Sequence, residues 1–166
     1  MQIWAPNATT VDVVTTTHGT VGMTRRPGGW WVLEQTVGVE PDVRYAISVD
    51  GGDPRPDPRS ARQPDGVHAP SALFTVDDTA FSDTSWPGRS VAGAILYELH
   101  VGTFTSEGTL DAAIERLDHL VDLGVDFVEL MPVNAFNGEH GWGYDGVGWY
   151  AAVSYTHLTL PTSDLV

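Results

Sequence analysis

Acidic side chains are the most numerous reactive groups in this chain, 22 Asp and Glu against eight Lys and Arg and six His. They supply general acids and bases by number, but no spacing marks out a pair. No histidines and acid follow the H-E-x-x-H pattern that sets two imidazoles on one helix face for a metal. The sequence also lacks a phosphate-cradling glycine loop and a G-x-S-x-G nucleophile turn. With no cysteine there is no thiolate chemistry. The expectation is no metal and no cofactor. The stretch that does carry a signal runs from Asn134 to Trp149, where glycines at 138, 141, 143, 146 and 148 surround Trp142, Tyr144 and Asp145. A loop of that length in a compact domain is usually functional or disordered. Glycine lets its backbone turn tightly around two aromatic rings. Those rings either pack the loop onto the body of the protein or face a ligand, and the residues alone leave both readings open.

The elements that must position this loop lie between Ala94 and Asp145. The run A-I-L-Y-E-L-H-V alternates, so Leu96, Glu98 and His100 share one face and Ile95, Tyr97, Leu99 and Val101 the other. The reading is a strand covered on both sides. A helix follows, with Thr109 as N-cap and Asp111 in the first turn, where a carboxylate favours the positive end of the helix dipole. Its apolar stripe is read as Leu110, Ile114, Leu117 and Val121, and Gly124 as the left-handed residue that ends it. Asp126 to Met131 suits a second strand, stopped by Pro132, which cannot donate to a ladder. Strand, crossover helix and strand in this length make a βαβ unit with a parallel pair. Glu98 and Glu129 could then face the interior and take part in a buried polar network.

Upstream, strand-like runs at 11–14, 30–37, 43–49 and 72–76 are separated by turn residues at 5–8, 26–29, 39–42 and 50–53. Short strands at such spacing predict a β-sandwich, in which Trp30 and Trp31 are packing residues rather than sugar platforms. Residues 53–70 hold too many prolines for a central strand or a helix and form an extended, ordered loop. The predicted organisation is a β domain over 1–82, a linker over 83–93 that carries Trp86-Pro87-Gly88, and a βαβ domain over 94–153. From Ser154 to Val166 the composition turns Thr/Leu-rich and breaks the preceding pattern, so this tail is read as a non-homologous artefact.

A formal charge of −14 speaks against a phosphate backbone as partner, because such binding depends on Lys and Arg. A neutral sugar polymer is compatible with it. No apolar run has the length of a membrane span, and no basic region with an apolar core opens the chain. These features, together with the absence of cysteine, lead to the expectation of a soluble cytoplasmic protein without a membrane or nucleic-acid partner.

The runs Y-E-L-H-V-G-T-F (97–104), G-T-L-D-A-A-I-E-R-L-D-H-L-V-D-L-G-V (108–125), V-E-L-M-P-V (128–133) and G-W-G-Y-D-G (141–146) resemble the opening of the catalytic barrel of the α-amylase superfamily of glycoside hydrolases. P-D-P-R-S with Q-P-D-G-V-H, between residues 56 and 68, is similar to the trehalohydrolase branch of that superfamily. The resemblance covers about residues 2–151 and implies an immunoglobulin-like β-sandwich, of the kind seen in glucan-binding accessory modules, followed by the first βαβ unit of a truncated (β/α)8 TIM barrel. It implies cleavage of the α-1,4 bond next to the trehalose end of maltooligosyltrehalose, with that compound or another α-glucan as the partner. In such a barrel the chemistry sits beyond the carboxyl ends of the strands. The resemblance places Tyr144 under the sugar ring beside the scissile bond, Trp142 and Asp145 on either side of it, and His100 at the barrel mouth. A flat apolar sugar face on a ring, with polar groups reading the hydroxyls, is the division of labour expected.

Retaining hydrolysis of a glycoside needs two carboxyl groups about 5–5.5 Å apart, one as nucleophile and one as proton donor. In the superfamily the nucleophilic Asp, the acid Glu and a supporting Asp follow the fourth, fifth and seventh strands. The sequence is expected to reach only the second, so no catalytic residue is assigned and the chain alone is expected to be inactive. Two alternatives remain beside the trehalose-releasing hydrolase: part of a branching or debranching enzyme, and a noncatalytic α-glucan-binding module.

Overall fold

The computed structural model of the protein describes residues 1–34, 43–74, 83 and 85–153, and these are mostly strand with a few short helices. Two antiparallel sheets form the N-terminal part. In one, β1 (Gln2–Trp4), β5 (Trp30–Val32) and β4 (Thr24–Arg26) run in the order β1-β5-β4. In the other the order is β3-β2-β6-β7, built from β2 (Val11–Thr15), β3 (Gly19–Gly22), β6 (Arg44–Val49) and β7 (Ser71–Ala72). A single core joins them: Ile3 and Trp31 from the first sheet meet Val11, Val13, Tyr45 and Ile47 from the second. Val11, Val13 and Thr15 are buried and alternate with half-exposed residues, as expected of a sheet with one face inward. Burying each valine fully stabilises the fold by about 1.5–3 kcal/mol relative to exposure. The sequence reading found β2, β5 and β6; it missed β1, β3 and β4, which are exposed edge or near-edge strands with weak apolar alternation. The predicted strand segments at 35–37 and 75–76, the turn at 39–42 and the tail 154–166 lie outside the described residues.

The proline-containing strap is ordered, as expected. Arg55 forms an antiparallel bridge with Ile47, and Arg62 bridges antiparallel to Ala72 and parallel to Ala152. Its buried polar side chains pair locally, apart from Gln63 Oε1, which has no partner among the described residues. Tyr45 donates its hydroxyl to Asp57 Oδ2 at 2.9 Å, and Ser71 Oγ accepts from the Asp57 amide at 3.0 Å and from Gln63 Nε2 at 3.1 Å. Burial, reinforced by the Asp57 carboxylate, pushes the Tyr45 phenol up and keeps it protonated.

The second part contains the expected strand–helix–strand. β8 (Leu96–Leu99) and β9 (Phe127–Leu130) pair in parallel, with Glu98 opposite Glu129. Tyr97, Leu99 and Val101 pack on Leu120, Leu110 and Val125. Thr109 caps the crossover by accepting from the Ala112 amide at 3.2 Å. The end is a Schellman arrangement: Gly124, at φ +86°, donates to Val121 O, and Val125 donates to Leu120 O.

Five expectations are corrected here. The first apolar run does not continue as strand: it ends at Leu99, and a short helix, α1 (Val101–Phe104), begins after His100. The crossover is two helices, α2 (Leu110–Ile114) and α3 (Leu117–Asp122), divided where Arg116 leaves helical geometry at φ −106°, ψ 3° and its amide closes a tight turn onto Ala113 O. The buried line of the crossover is Ala113 and Leu120, whereas Ile114, Leu117 and Val121 are exposed. Helical spacing allows either line; Leu120 is the one that packs with Leu99 of β8. Finally, β8 is covered on one side only: Leu96 is 51% exposed, and even on the side of Tyr97 and Leu99 the β9 partners Val128 and Leu130 are exposed. Without further strands or helices against them, two parallel strands have an uncovered face and an open edge. Glu98 and Glu129 are consequently exposed side chains on that face and not members of a buried network.

The start of the unit is held by one carboxylate. Asp126 Oδ2 accepts from the Ile95 amide at 2.9 Å while Oδ1 takes the Arg89 guanidinium. The Ile95 amide, and then Arg89, hold the Asp126 carboxyl below its usual range. A group with a lowered folded pKa stabilises the fold above its unfolded value, and that contribution disappears as pH falls through the folded value. Thermal unfolding of β8–β9, followed by residue-resolved NMR, should fall in midpoint as pH drops from 6 to 3, and Asp126→Asn should remove that part of the slope while lowering the midpoint at pH 6.

Candidate functional site

The loop beyond β9 leaves and returns through a narrow neck. β10 (Asn134–Ala135) pairs antiparallel with β11 (Gly148–Ala152), with a register shift between Asn134 and Ala135. The neck is closed by Val147 donating to Ala135 O and Val153 to Val133 O, each at 2.8 Å. Asn134 Nδ2 adds a bond to Trp149 O at 3.1 Å. Phe136 is buried at the base of the loop.

The tip is tied back to β8 by His100. Its Nε2 lies 3.0 Å from Gly141 O and its Nδ1 lies 3.1 Å from Thr103 Oγ1. A carbonyl can only accept, so Nε2 carries the proton, and in the neutral ring Nδ1 accepts from the threonine hydroxyl. The histidine at the end of the first strand thus holds the loop that carries Trp142. The loop glycines serve close approach more than free turning. A Cβ on Gly143, at φ +85°, would stand 1.9 Å from Pro132 O, and one on Gly141 would stand 3.0 Å from the Phe136 ring.

Trp142 and Tyr144 are 72% and 69% exposed, and Asp145 is exposed beside them. Rings that packed the loop onto the protein would be covered. A cleft of about 320 Å³ opens between the loop and the start of α1, lined by His100, Thr103, Glu107, Glu139, His140 and Trp142 among others. It brings His100 and Trp142 together; Tyr144 and Asp145 lie outside its lining. A larger cleft of about 760 Å³ shares His100 and Thr103 and continues along Glu98. Carboxylates and imidazoles around an indole can read hydroxyl groups while the ring takes an apolar sugar face. Glu107, Glu139 and His140 escaped the sequence reading because no motif contains them; only the fold of the loop brings them to one rim. Among the described residues no group of three or more His, Asp and Glu side chains could hold a metal ion, and no helix is long and apolar enough to cross a membrane.

The comparison with known proteins can be set beside this geometry. No family model matches the sequence. A malto-oligosyltrehalose trehalohydrolase of Arthrobacter ramosus is 58% identical over 151 residues, covering 90% of this chain and 26% of its own length. The sequence resembles the malto-oligosyltrehalose trehalohydrolases. The trehalohydrolase of Mycobacterium tuberculosis is 57% identical over 157 residues with the same two coverages. A solved structure from Salmonella typhimurium that carries the name alpha amylase superposes with a TM-score of 0.85 at 38% identity, over 94% of this chain and 26% of that one. The relatives are glycoside hydrolases, and the chain spans about a quarter of the length of the trehalohydrolases it matches.

The packing of Gly143 gives a direct test of the loop geometry. Gly143→Ala must move either the loop or Pro132 and should cost about 2 kcal/mol or more. Amide exchange at Val147 should accelerate accordingly, while exchange at Val13 in the N-terminal core stays as it was.

Proposed function

We propose that these residues form the accessory domain and the first rim of the active site of a hydrolase that cleaves the α-1,4 bond next to the trehalose end of maltooligosyltrehalose and releases trehalose. The observation that carries the reading is the loop tied down by His100, which exposes Trp142 and Tyr144 beyond the carboxyl ends of a parallel strand pair. The similarity to trehalohydrolases over nine-tenths of the chain supports it. In this reading the two N-terminal sheets are an immunoglobulin-like sandwich over 1–82, residues 83–93 are a linker, and 94–153 open a (β/α)8 barrel.

The resemblance assigns the roles, and the chemistry of the side chains is compatible with them. Tyr144 stacks under the sugar ring next to the scissile bond and Trp142 extends the apolar platform. Asp145 accepts from sugar hydroxyls. His100 holds the loop through Gly141 and lines the cleft beside Trp142. The two reacting carboxyl groups, by the resemblance, follow later barrel strands. The rim supplies binding energy and orientation, and it lowers the barrier to the extent that it holds the sugar better in the transition state than in the ground state. Neutral α-glucan fits an acidic surface, which would repel a polyanion.

Two measurements check this reading. In a chain that spans the full length of the relatives, Tyr144→Ala should raise the transition-state free energy for trehalose release by about 1–3 kcal/mol with little change in unfolding temperature. Normal turnover in a folded variant would return Tyr144 to a packing role. The 166 residues alone should bind maltooligosyltrehalose weakly and release no trehalose, since groups that act as a unit leave only residual acceleration when both are absent.

A further inference from the structure

The N-terminal sheets and the aromatic loop are joined by more than the chain between them. Arg62 uses its main chain in two directions, antiparallel to Ala72 at the edge of β7 and parallel to Ala152 at the end of β11. Because β7 pairs with β6, bridged backbone runs from the centre of the N-terminal sheet through the strap into the neck of the loop. Val67 of the strap is buried against Ala135 and Ala151, one from each strand of that neck. Above it, the Arg59 guanidinium lies 5.9 Å from the centre of the Trp30 ring, in β5, and 5.6 Å from the centre of the Tyr150 ring, in β11. Asp57, at the start of the strap, is held by Tyr45 Oη and also accepts the Arg59 amide on Oδ1 at 2.8 Å, so the backbone that carries the guanidinium is fixed from the sandwich side.

We propose that residues 57–72 are a brace for the aromatic loop, with Arg59 as a positioning residue that sets the loop neck against the N-terminal sheets. A planar cation between two rings resists sliding in the ring plane, while Val67 and the Arg62 main chain resist separation. The brace makes the N-terminal part a component of the site's geometry: Tyr150, in β11, follows Tyr144 of the loop by six residues along the chain. Its bearing on sugar binding rests on the function proposed above; its mechanical role does not.

The experiment uses the 166-residue chain with Arg59→Ala, Arg59→Lys, Tyr150→Ala, the double variant Arg59→Ala/Tyr150→Ala, and Val67→Ala. Amide exchange is read at Val147 and Val153 for the neck and at Val13 and Met23 for the sheet core, and each protein is titrated with maltooligosyltrehalose by tryptophan fluorescence. Arg59→Ala should speed exchange at Val147 and Val153 by about 3- to 10-fold, the scale of a partly exposed cation–ring contact made twice, and should weaken sugar binding by a similar factor. Val13 and Met23 should not change. Lys keeps the charge and loses the plane, so Arg59→Lys should recover only part of the protection. The double variant should be no worse than the poorer single one, as for residues that act through one contact. Unchanged neck exchange in both Arg59→Ala and Val67→Ala, strictly additive effects in the double variant, or equal acceleration at all four amides would overturn the brace. If the unsubstituted chain binds no sugar, the functional reading fails while the exchange pattern still decides the brace.

Discussion

Arg62 lends its main chain to two strands at once, and most of what positions the candidate site depends on that. Backbone N–H and C=O groups withdrawn from water must find partners, and a strap running between two sheets would leave its own unpaired. Bridging to Ala72 on one side and Ala152 on the other resolves this and fixes a register at the same time. Side chains then reinforce the register: the strap's buried polar groups pair with β6 and β7, and its valine enters the small apolar cluster at the loop neck. The prolines that keep this segment out of helix and central strand leave it free to serve as such a connector.

The second part shows the opposite condition, with structure that is locally well specified and only half enclosed. Capping by Thr109, the turn at Gly124 and the parallel register of β8 with β9 all agree with one another. Yet Ile114, Val121, Leu96 and Leu130 remain in contact with solvent. These side chains lie on both sides of the strand pair, so neither face is fully enclosed. This accounts for the marginal cover on β8 and for the weight carried by a few polar ties, Asp126 to Ile95 and His100 to Gly141, in keeping the unit in shape.

What could be read from the residues follows the range of the forces involved. Thr109 and Gly124 were legible because a cap and a left-handed turn are decided within four or five residues. The parallel pair was legible because apolar runs flanking a helix allow few topologies. The break at Arg116 and the buried line through Ala113 and Leu120 were not, since 113/120 and 114/121 fit the same helical period and only the distance to the strands chooses between them. The weak strands β3 and β4 were missed because Gly19–Gly22 and Thr24–Arg26 gain order from their neighbours and not from their own composition. In the site, the aromatics and the glycines stood out, whereas Glu107, Glu139 and His140 reach the cleft through a fold that brings residues from separate segments together. The reason for Gly143 was also partly hidden: tight turning could be inferred, but its contact with Pro132 O depends on how the loop lies back on the end of β9.

The parallel bridge from Arg62 to Ala152 also has a consequence in time. Ribosomes make roughly 5–20 residues per second, so the 90 residues between these positions take about 5–20 s to emerge after Arg62 does. The N-terminal sheets and the strap can be in place through that interval, with the Arg62 side of the strap still waiting for Ala152. The loop neck would then find a finished template when it appears, and synthesis in this order would spare β10 and β11 the search for each other as a free two-stranded hairpin, which is marginal in water. A circular permutation that delivered residues 94–153 first would keep every contact of the folded protein and lose that sequence of events.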